Sequence, residues 1–562
     1  MAGKPETSND RVNLSLKLRW AISMAIAGGL LYYLSFPAPD LWPLAWVALV
    51  PFFIAVALSP GPWWAALAGL FGGLAAHVPA FSWISSVTPA GWLALSLYLS
   101  IFWALAGVAI YWFWSRAPGV WFLGAAAVWV AQEFLRAVVP PGFPWLFVGY
   151  SQWKLLPLVQ ISTTTGVYGV SFLIALVNAS LVHIYLRRGK TESFRPLLGR
   201  LTPLGACVLA VAACYGWGLA ARGSSSYRHG PEVGVVQQNV PRYVQEYTSR
   251  SPKEFYREMR EEVSKVEELS LGLPGSVQLV VWPETTVQAP LNVAPSLIRD
   301  ANLRGVVQRA MKAIKKVGGK YDCPVLVGAR GWFSRRRGYV RNVNKRAVEV
   351  FGNSAILFSS TGQFLERYDK MELVPFGEYV PLESLLSWLT PFSTSLTPGD
   401  KAVLFRARAE DETRFGALIC YEDVFPGLVR NMVRRGADYL VNITEEGWYH
   451  IPGEMEQHVA MAVFRAVENR TTVVRAGNTG ISCFIGPSGE IYEQVEKSTP
   501  EGRSRKWVEG TASAPVRLSE QQTFYTAWGD VFAWIMLVFS AILATFGWWT
   551  TAAKGRGNAG QE

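Results

Sequence analysis

Before residue 222 the chain passes through seven apolar stretches, at 18–36, 41–58, 63–87, 91–114, 118–138, 165–186 and 201–221. Each approaches the roughly 20 apolar residues that a helix needs to cross a hydrocarbon core. An eighth stretch follows at 525–550. Nothing constrains this sequence more, because a backbone inside lipid must satisfy its own hydrogen bonds and so must be helical there. Composition divides the same way. Acidic residues are nearly absent from 20–221, and overall only 17% of residues are charged, against about 25% in soluble domains. Residues 228–520 read as an ordinary water-soluble domain, large enough for one core.

The expected organisation is a cytoplasmic segment at 1–17, a seven-helix transmembrane region at 18–221 and a soluble domain at 222–524. A last transmembrane helix at 525–550 and a cytoplasmic tail at 551–562 complete it. Basic residues set the orientation, since Lys and Arg are retained on the cytoplasmic side. Lys4, Arg11, Lys17 and Arg19 place the N-terminus inside, and Arg116, the run Arg187–Arg200, Lys554 and Arg556 fit the same count. The soluble domain is then extra-cytoplasmic. The loop 139–164, PPGFPWLFVGYSQW at its centre, falls on that side too. It reads either as an interfacial re-entrant loop anchored by Trp145 and Trp153 or as a lipid-facing entrance.

The net charge of +11 is spent largely on these topology signals. Zinc-finger spacing, a Walker loop and a basic helix are all missing from the sequence, so nucleic acid is not an expected partner. The spans offer no evident acid–base pair of the kind transporters use. Five cysteines, widely spaced and odd in number, suggest neither a disulfide framework nor a metal site.

Within 228–520, short β-branched runs recur: EVGVVQQNV, VQLVVWPE, CPVLVGAR, NSAILFSS, RFGALICYE, ADYLVNIT and RTTVVRAGN. A predicted hairpin follows at 481–495, and helical patterns cover 252–270, 295–317 and 453–469. Continuous apolar runs suit strands buried on both faces, and their alternation with helices predicts an α/β domain. Functional groups in such sheets gather where strands end. Glu284 ends VVWPE, Cys420 and Glu422 end GALICYE, and Lys370 follows a strand in RYDKMELVPFGEYVP. A thiol is a useful nucleophile only as thiolate. A carboxylate can take its proton, and an ammonium can stabilise the thiolate and an oxyanion.

The segments VVWPET, YDKMELVPFGEYVP and CYED, in this order and spacing, resemble the three signatures of the nitrilase superfamily. Helical spans on both sides of such a domain resemble its membrane-embedded branch, the bacterial enzymes that N-acylate lipoproteins. The resemblance covers about residues 20–550. It implies a multi-pass α-helical membrane bundle plus an α/β nitrilase-like (αββα sandwich) extra-cytoplasmic domain, with a catalytic triad of Glu284, Lys370 and Cys420. It further implies that Glu378, Tyr421, Glu422, Asn353 and Trp448 support the site or bind substrate. Gln238, Asn239 and His458 match motif positions, with His458 outside the triad.

The implied reaction moves a fatty acyl group from a membrane phospholipid, through a cysteine thioester, to the N-terminal diacylglyceryl-cysteine of an apolipoprotein. No metal or organic cofactor is expected. The implied enzyme is a monomer embedded in the bacterial inner membrane, with its catalytic domain on the periplasmic side. A membrane-anchored hydrolase sharing the triad, a catalytically dead scaffold and a transporter are the competing readings. One departure stands out: NITEEGWYH carries Glu445 and Glu446 where the family usually has Asn and Asp. It bears on substrate preference rather than on the triad.

Overall fold

The computed structural model describes residues 8–186, 194–223, 226–243, 251–333, 350–380, 396–407, 412–451, 453–500 and 502–542, with side chains from residue 18 onward except at 194–201, 333 and 350. The chain divides into two compact units. One comprises Met1–Ser85, Pro89–Ser224 and Trp528–Glu562; the other comprises Ser86–Thr88 and Ser225–Ala527.

The first unit is helical. Its helices are α1 (Ser8–Leu34), α2 (Ala45–Ala57), α3 (Pro62–Ala80), α4 (Pro89–Arg116), α5 (Trp121–Val138), α6 (Val167–Leu186) and α7 (Phe194–Gly223). Among the described residues, the stretches Pro89–Arg116, Val167–Leu186 and Thr202–Gly223 are long and apolar enough to cross a membrane, and Leu18–Leu34, Trp42–Ala57 and Val531–Ile542 are shorter apolar helices. Helix α3 ends at Ala80, short of the expected residue 87. Pro79 lies in its last turn, and the Val78 carbonyl accepts the Trp92 indole N–H at 2.8 Å instead of continuing the helix. The expected residues 543–550 of the last span lie outside the described residues. Tyr32, Phe52, Trp103 and Trp129 form an aromatic centre, Trp103 meeting Trp129 edge-on at 4.8 Å.

One expectation changes here. Helix α5 carries both Glu133 and Arg136, fully buried, so this unit does hold an acid and a base; a hydropathy average over 18 or more apolar residues conceals them. Their partners explain why they are present. Val148 N–H donates to Glu133 Oε1 at 2.7 Å, and Arg136 Nη2 donates to the Leu146 carbonyl at 3.1 Å. Tyr32 Oη donates to the same carbonyl at 2.6 Å, and Gly149 N–H donates to Ser171 Oγ at 3.0 Å. The aromatic loop is therefore held by the helical unit, with Phe143–Tyr150 buried. Non-helical backbone in apolar surroundings needs such buried polar side chains.

The second unit is a sandwich of two sheets. The first has the strand order β15 (Gly510–Leu518), β1 (Arg228–Gln237), β2 (Leu279–Val281), β4 (Val325–Phe333), β5 (Val350–Phe358), β6 (Phe364–Asp369), with β3 (Val287–Pro290) also paired to β4. The second runs β12 (Ile491–Gln494), β11 (Cys483–Ile485), β10 (Thr472–Gly477), β9 (Tyr439–Thr444), β8 (Phe415–Ile419), β7 (Leu404–Phe405). Strands β8, β9 and β10 are parallel and wholly buried. Strands β13 (Lys497–Thr499) and β14 (Gly502–Ser504) form a separate hairpin.

Helices α8 (Pro252–Ser270) and α9 (Ala301–Tyr321) cover the first sheet, packing Val263, Val266, Val307 and Ile314 against Val280, Val325 and Ile356. Helices α10 (Pro426–Arg434) and α11 (Glu454–Asn469) accompany the second. Local sequence fixes their starts. Ser251 caps α8 by a reciprocal capping box with Glu254, and Asp300 caps α9 by accepting Asn302 and Leu303 N–H, satisfying donors that a helix start leaves open.

Candidate active site

The site forms at strand ends. Strand β8 delivers Cys420 into a tight 3-10 turn, Cys420–Val424, where Cys420 adopts a φ of +53°. Glu284 follows β2 by three residues, and Lys370 immediately follows β6. These three side chains, with Asn353 and Glu378, line one cavity of about 220 Å³.

Lys370 is 1% exposed and faces two carboxylates. Its Nζ donates to Glu284 Oε1 at 3.3 Å and to Glu378 Oε1 at 3.0 Å. Asn353 Nδ2 also donates to both acids, at 2.6 and 3.0 Å. Its carbonyl accepts Lys370 N–H at 2.8 Å, which fixes the Lys370 backbone. Glu378 is aimed by its own loop, since Val374 N–H donates to its Oε2 at 2.9 Å. Burial opposes the charge on Lys370, but Glu284 and Glu378 outweigh it and hold the ammonium well above its ordinary pKa. Burial, reinforced by the charge of Glu284, pushes the Cys420 thiol well up despite Lys370. Cys420 is thus a thiol at rest, and it would need a base to act as a nucleophile.

Glu422 and Tyr421 lie beside the nucleophile rather than in the cavity wall. Buried Glu422 accepts Ile419 N–H at 2.8 Å with one oxygen, and with the other accepts Tyr368 Oη at 2.7 Å and Met371 N–H at 2.6 Å. Burial raises its carboxyl to about 7. Tyr421 is 7% exposed and packs edge-on against Phe425 at 4.8 Å. Trp448 reaches the cavity wall, together with Tyr449, Arg242 and Glu445. Sequence reasoning did not single out Arg242; the arginine in VVQQNVPR acquires meaning only from its distant partner. Gln238 is fully buried, and Asn239, with a φ of +50°, donates to the Trp507 carbonyl at 3.1 Å.

The two departing glutamates are both buried and both paired. Glu445 accepts Arg242 Nε at 3.3 Å, Asn478 Nδ2 at 2.8 Å and Gly447 N–H at 2.9 Å. Glu446 accepts Arg475 Nη2 at 2.8 Å and lies 3.3 Å from His458 Nδ1. His458 Nε2 meets Asp423 at 2.5 Å, and Arg475 Nη1 donates to the other Asp423 oxygen at 2.6 Å. Glu446, Glu454 and His458 are grouped closely enough to hold a cation. Arg475 already donates to Glu446 Oε1, however, so the protein supplies its own positive charge there. His458 is buried against Asp423 of the Cys420–Val424 turn. Burial opposes its charge, but Asp423 overrides it and keeps the imidazolium well above its ordinary pKa.

Comparison with known proteins defines the class. The carbon–nitrogen hydrolase model matches residues 233–520, and the apolipoprotein N-acyltransferase N-terminal domain model matches residues 28–180. Residues 233–520 form a carbon–nitrogen hydrolase domain, in one chain with an apolar helical unit. An apolipoprotein N-acyltransferase of Geobacter metallireducens is 33% identical, covering 93% of this chain and 94% of its own. One of Chlorobaculum tepidum is 28% identical, covering 94% and 97%. A crystal structure of an amidase from Nesterenkonia sp. has 18% identity and a TM-score of 0.33, covering 54% of this chain and 95% of its own. The chain belongs to the apolipoprotein N-acyltransferase family.

Proposed function

We propose that this protein transfers a fatty acyl group from a membrane phospholipid to the α-amine of a diacylglyceryl-cysteine at the N-terminus of an apolipoprotein, through a thioester on Cys420. The observation that carries this reading is Cys420 sharing one cavity with Glu284 and Lys370, in a chain with helices long enough to cross a membrane.

Glu284 takes the thiol proton, and the thiolate attacks an acyl ester carbonyl of the phospholipid. The Lys370 ammonium, anchored by Glu284 and Glu378, stabilises the oxyanion. The ester C–O bond breaks, Glu284 returns the proton to the leaving lysophospholipid oxygen, and the thioester remains. The neutral α-amine of the acceptor then attacks the thioester. Glu284 takes the amine proton, the C–S bond breaks, and the proton returns to the Cys420 sulfur. One residue serves as base and acid in both halves. Both substrates are lipid-anchored, so a membrane-borne enzyme meets them without extracting either from the bilayer. On this reading the protein acts as a monomer in the bacterial inner membrane, with residues 18–221 and 525–550 spanning it and the catalytic domain on the periplasmic face.

The test is intact mass spectrometry of the purified protein after incubation with phospholipid, beside Cys420→Ala. The expected result is an acyl-sized mass gain on wild type alone, discharged by a diacylglyceryl-cysteine peptide but not by water. Discharge by water would make the protein a hydrolase, and no acylation of a folded protein would overturn the reading.

A further inference from the structure

Resting on that function, we infer that the Arg242–Glu445 pair is a positioning device that sets the Trp448–Tyr449 wall of the cavity and, through it, acyl-chain selectivity. The acyl chain is the one substrate part present in both half-reactions, because it stays on Cys420 between them. It is apolar, so it must lie against the apolar side of the cavity. Val374, Leu396, Trp448 and Tyr449 are apolar members of the same lining that holds Glu284, Lys370 and Glu378.

Trp448 and Tyr449 belong to neither strand nor helix. They lie between the end of β9 at Thr444 and the start of α11 at Glu454. Side chains on an irregular segment are only as well placed as the groups that grip it. Both residues flanking the pair are bonded to Arg242. Arg242 N–H donates to the Gly447 carbonyl at 3.0 Å, and His450 Nε2 lies 2.8 Å from the Arg242 carbonyl. The Arg242 side chain adds a third attachment through Glu445, while Glu262 holds its far end with two bonds of 2.6 and 3.0 Å.

Further contacts tighten the same grip. Asn478 Nδ2 donates at 2.8 Å to both Glu445 oxygens and at 2.7 Å to the Val240 carbonyl. Tyr243 stacks on His450 at 4.2 Å. Gly447 belongs to the device, because a Cβ there would come within 2.6 Å of Glu445 Oε1. Arg242 and Glu445 are 3% and 4% exposed, so the pair is desolvated, and removing one partner strands the other. The Glu445 departure therefore comes with a cation that fixes it, and its effect falls on the wall rather than on the nucleophile.

The experiment measures acyl-enzyme formation by mass spectrometry with long-chain and short-chain phospholipids, for wild type, Glu445→Gln and Trp448→Ala. Glu445→Gln keeps an oxygen for Gly447 N–H but turns an amide toward Asn478 and Arg242. The expected result is that the long-to-short rate ratio falls about tenfold in both variants, the scale on which apolar pockets discriminate methylene groups. A purely structural role would slow all donors alike. An unchanged ratio in Glu445→Gln, whether or not Trp448→Ala changes, overturns the inference. Should Glu445→Gln fail to fold, Tyr243→Ala, which removes only the stack on His450, takes its place with the same two outcomes. Absence of acylation in wild type would instead sink the proposed function.

Discussion

The carboxylate of Glu422 accepts Met371 N–H at 2.6 Å, one residue beyond Lys370, and its second oxygen accepts Ile419 N–H at 2.8 Å, one residue before Cys420. One side chain thereby ties the turn bearing the thiol to the turn bearing the ammonium. Glu422→Ala is expected to leave four donors unmet, the N–H groups of Ile419, Met371 and Glu372 and the Tyr368 hydroxyl, costing about 1–3 kcal/mol for each group not reached by water. Cys420 acylation should fall at least about 100-fold as the two turns separate. Thermal unfolding and acylation kinetics of the same preparation check this; a stable variant with full activity would contradict it.

Asn353→Ala removes the amide that joins Glu284 to Glu378. Its backbone bond to Lys370 survives, so the fold should persist. The rate of acyl-enzyme formation should drop about 10- to 100-fold, as when an orienting hydrogen bond to a site residue is lost. Single-turnover acylation measures it. Asn353→Asp should be worse than Asn353→Ala, because it sets a third carboxylate beside two that share a single lysine.

Burial pushes the carboxyls of Glu422, Glu445 and Glu454 up to about 7 from an ordinary 4.5. Between those values the folded protein binds more protons than the unfolded chain, so these groups make stability fall as pH rises. Asp423 acts at lower pH. Burial works against its charge, but His458 and Arg475 hold it below 3.8, and its contribution is lost only on acidification through that lower value. His458, held well above 6.5, contributes fully below 6.5 and loses this as pH rises from there through its raised value. The unfolding temperature in detergent is expected to peak near about pH 5 and decline toward about pH 7. Glu454→Gln should flatten that slope. A melt series rising over the same range would refute the assignment.

Gly480 has no room for a side chain: a Cβ there would sit 1.3 Å from Glu446 Oε2. Gly480→Ala is expected to drive Glu446 off Arg475 and His458, breaking a buried charge network at a cost of more than about 3 kcal/mol. Chemical denaturation of the purified protein measures the loss.

Parts of this were legible from the chain alone. Ser251 with Glu254, and the apolar face that follows, announce α8 at the residues where it occurs. Likewise Glu284, Lys370 and Cys420 stand out as polar residues ending apolar runs, and they line one cavity. Other features depend on contacts that no local pattern encodes. Arg242 and Glu445 are 203 positions apart, and neither looks unusual in its own segment. Strand β15 escaped notice because it lies at a sheet edge, antiparallel to β1, with mixed burial and two alanines and a proline in place of β-branched residues. Glu133 and Arg136 disappear into the hydropathy of α5, although they hold the loop that packs beside them.

The φ of +53° at Cys420 sets the nucleophile against the fold that carries it. Any residue with a Cβ costs about 1–2 kcal/mol in that left-handed conformation, and glycine does not. Cys420→Gly should therefore be inert yet unfold at a higher temperature than the equally inert Cys420→Ala, which keeps the strain without the sulfur. Paired melts of the two variants would show it. With no acyl group to transfer, the same fold would be easier to keep folded with glycine than with cysteine at this one position.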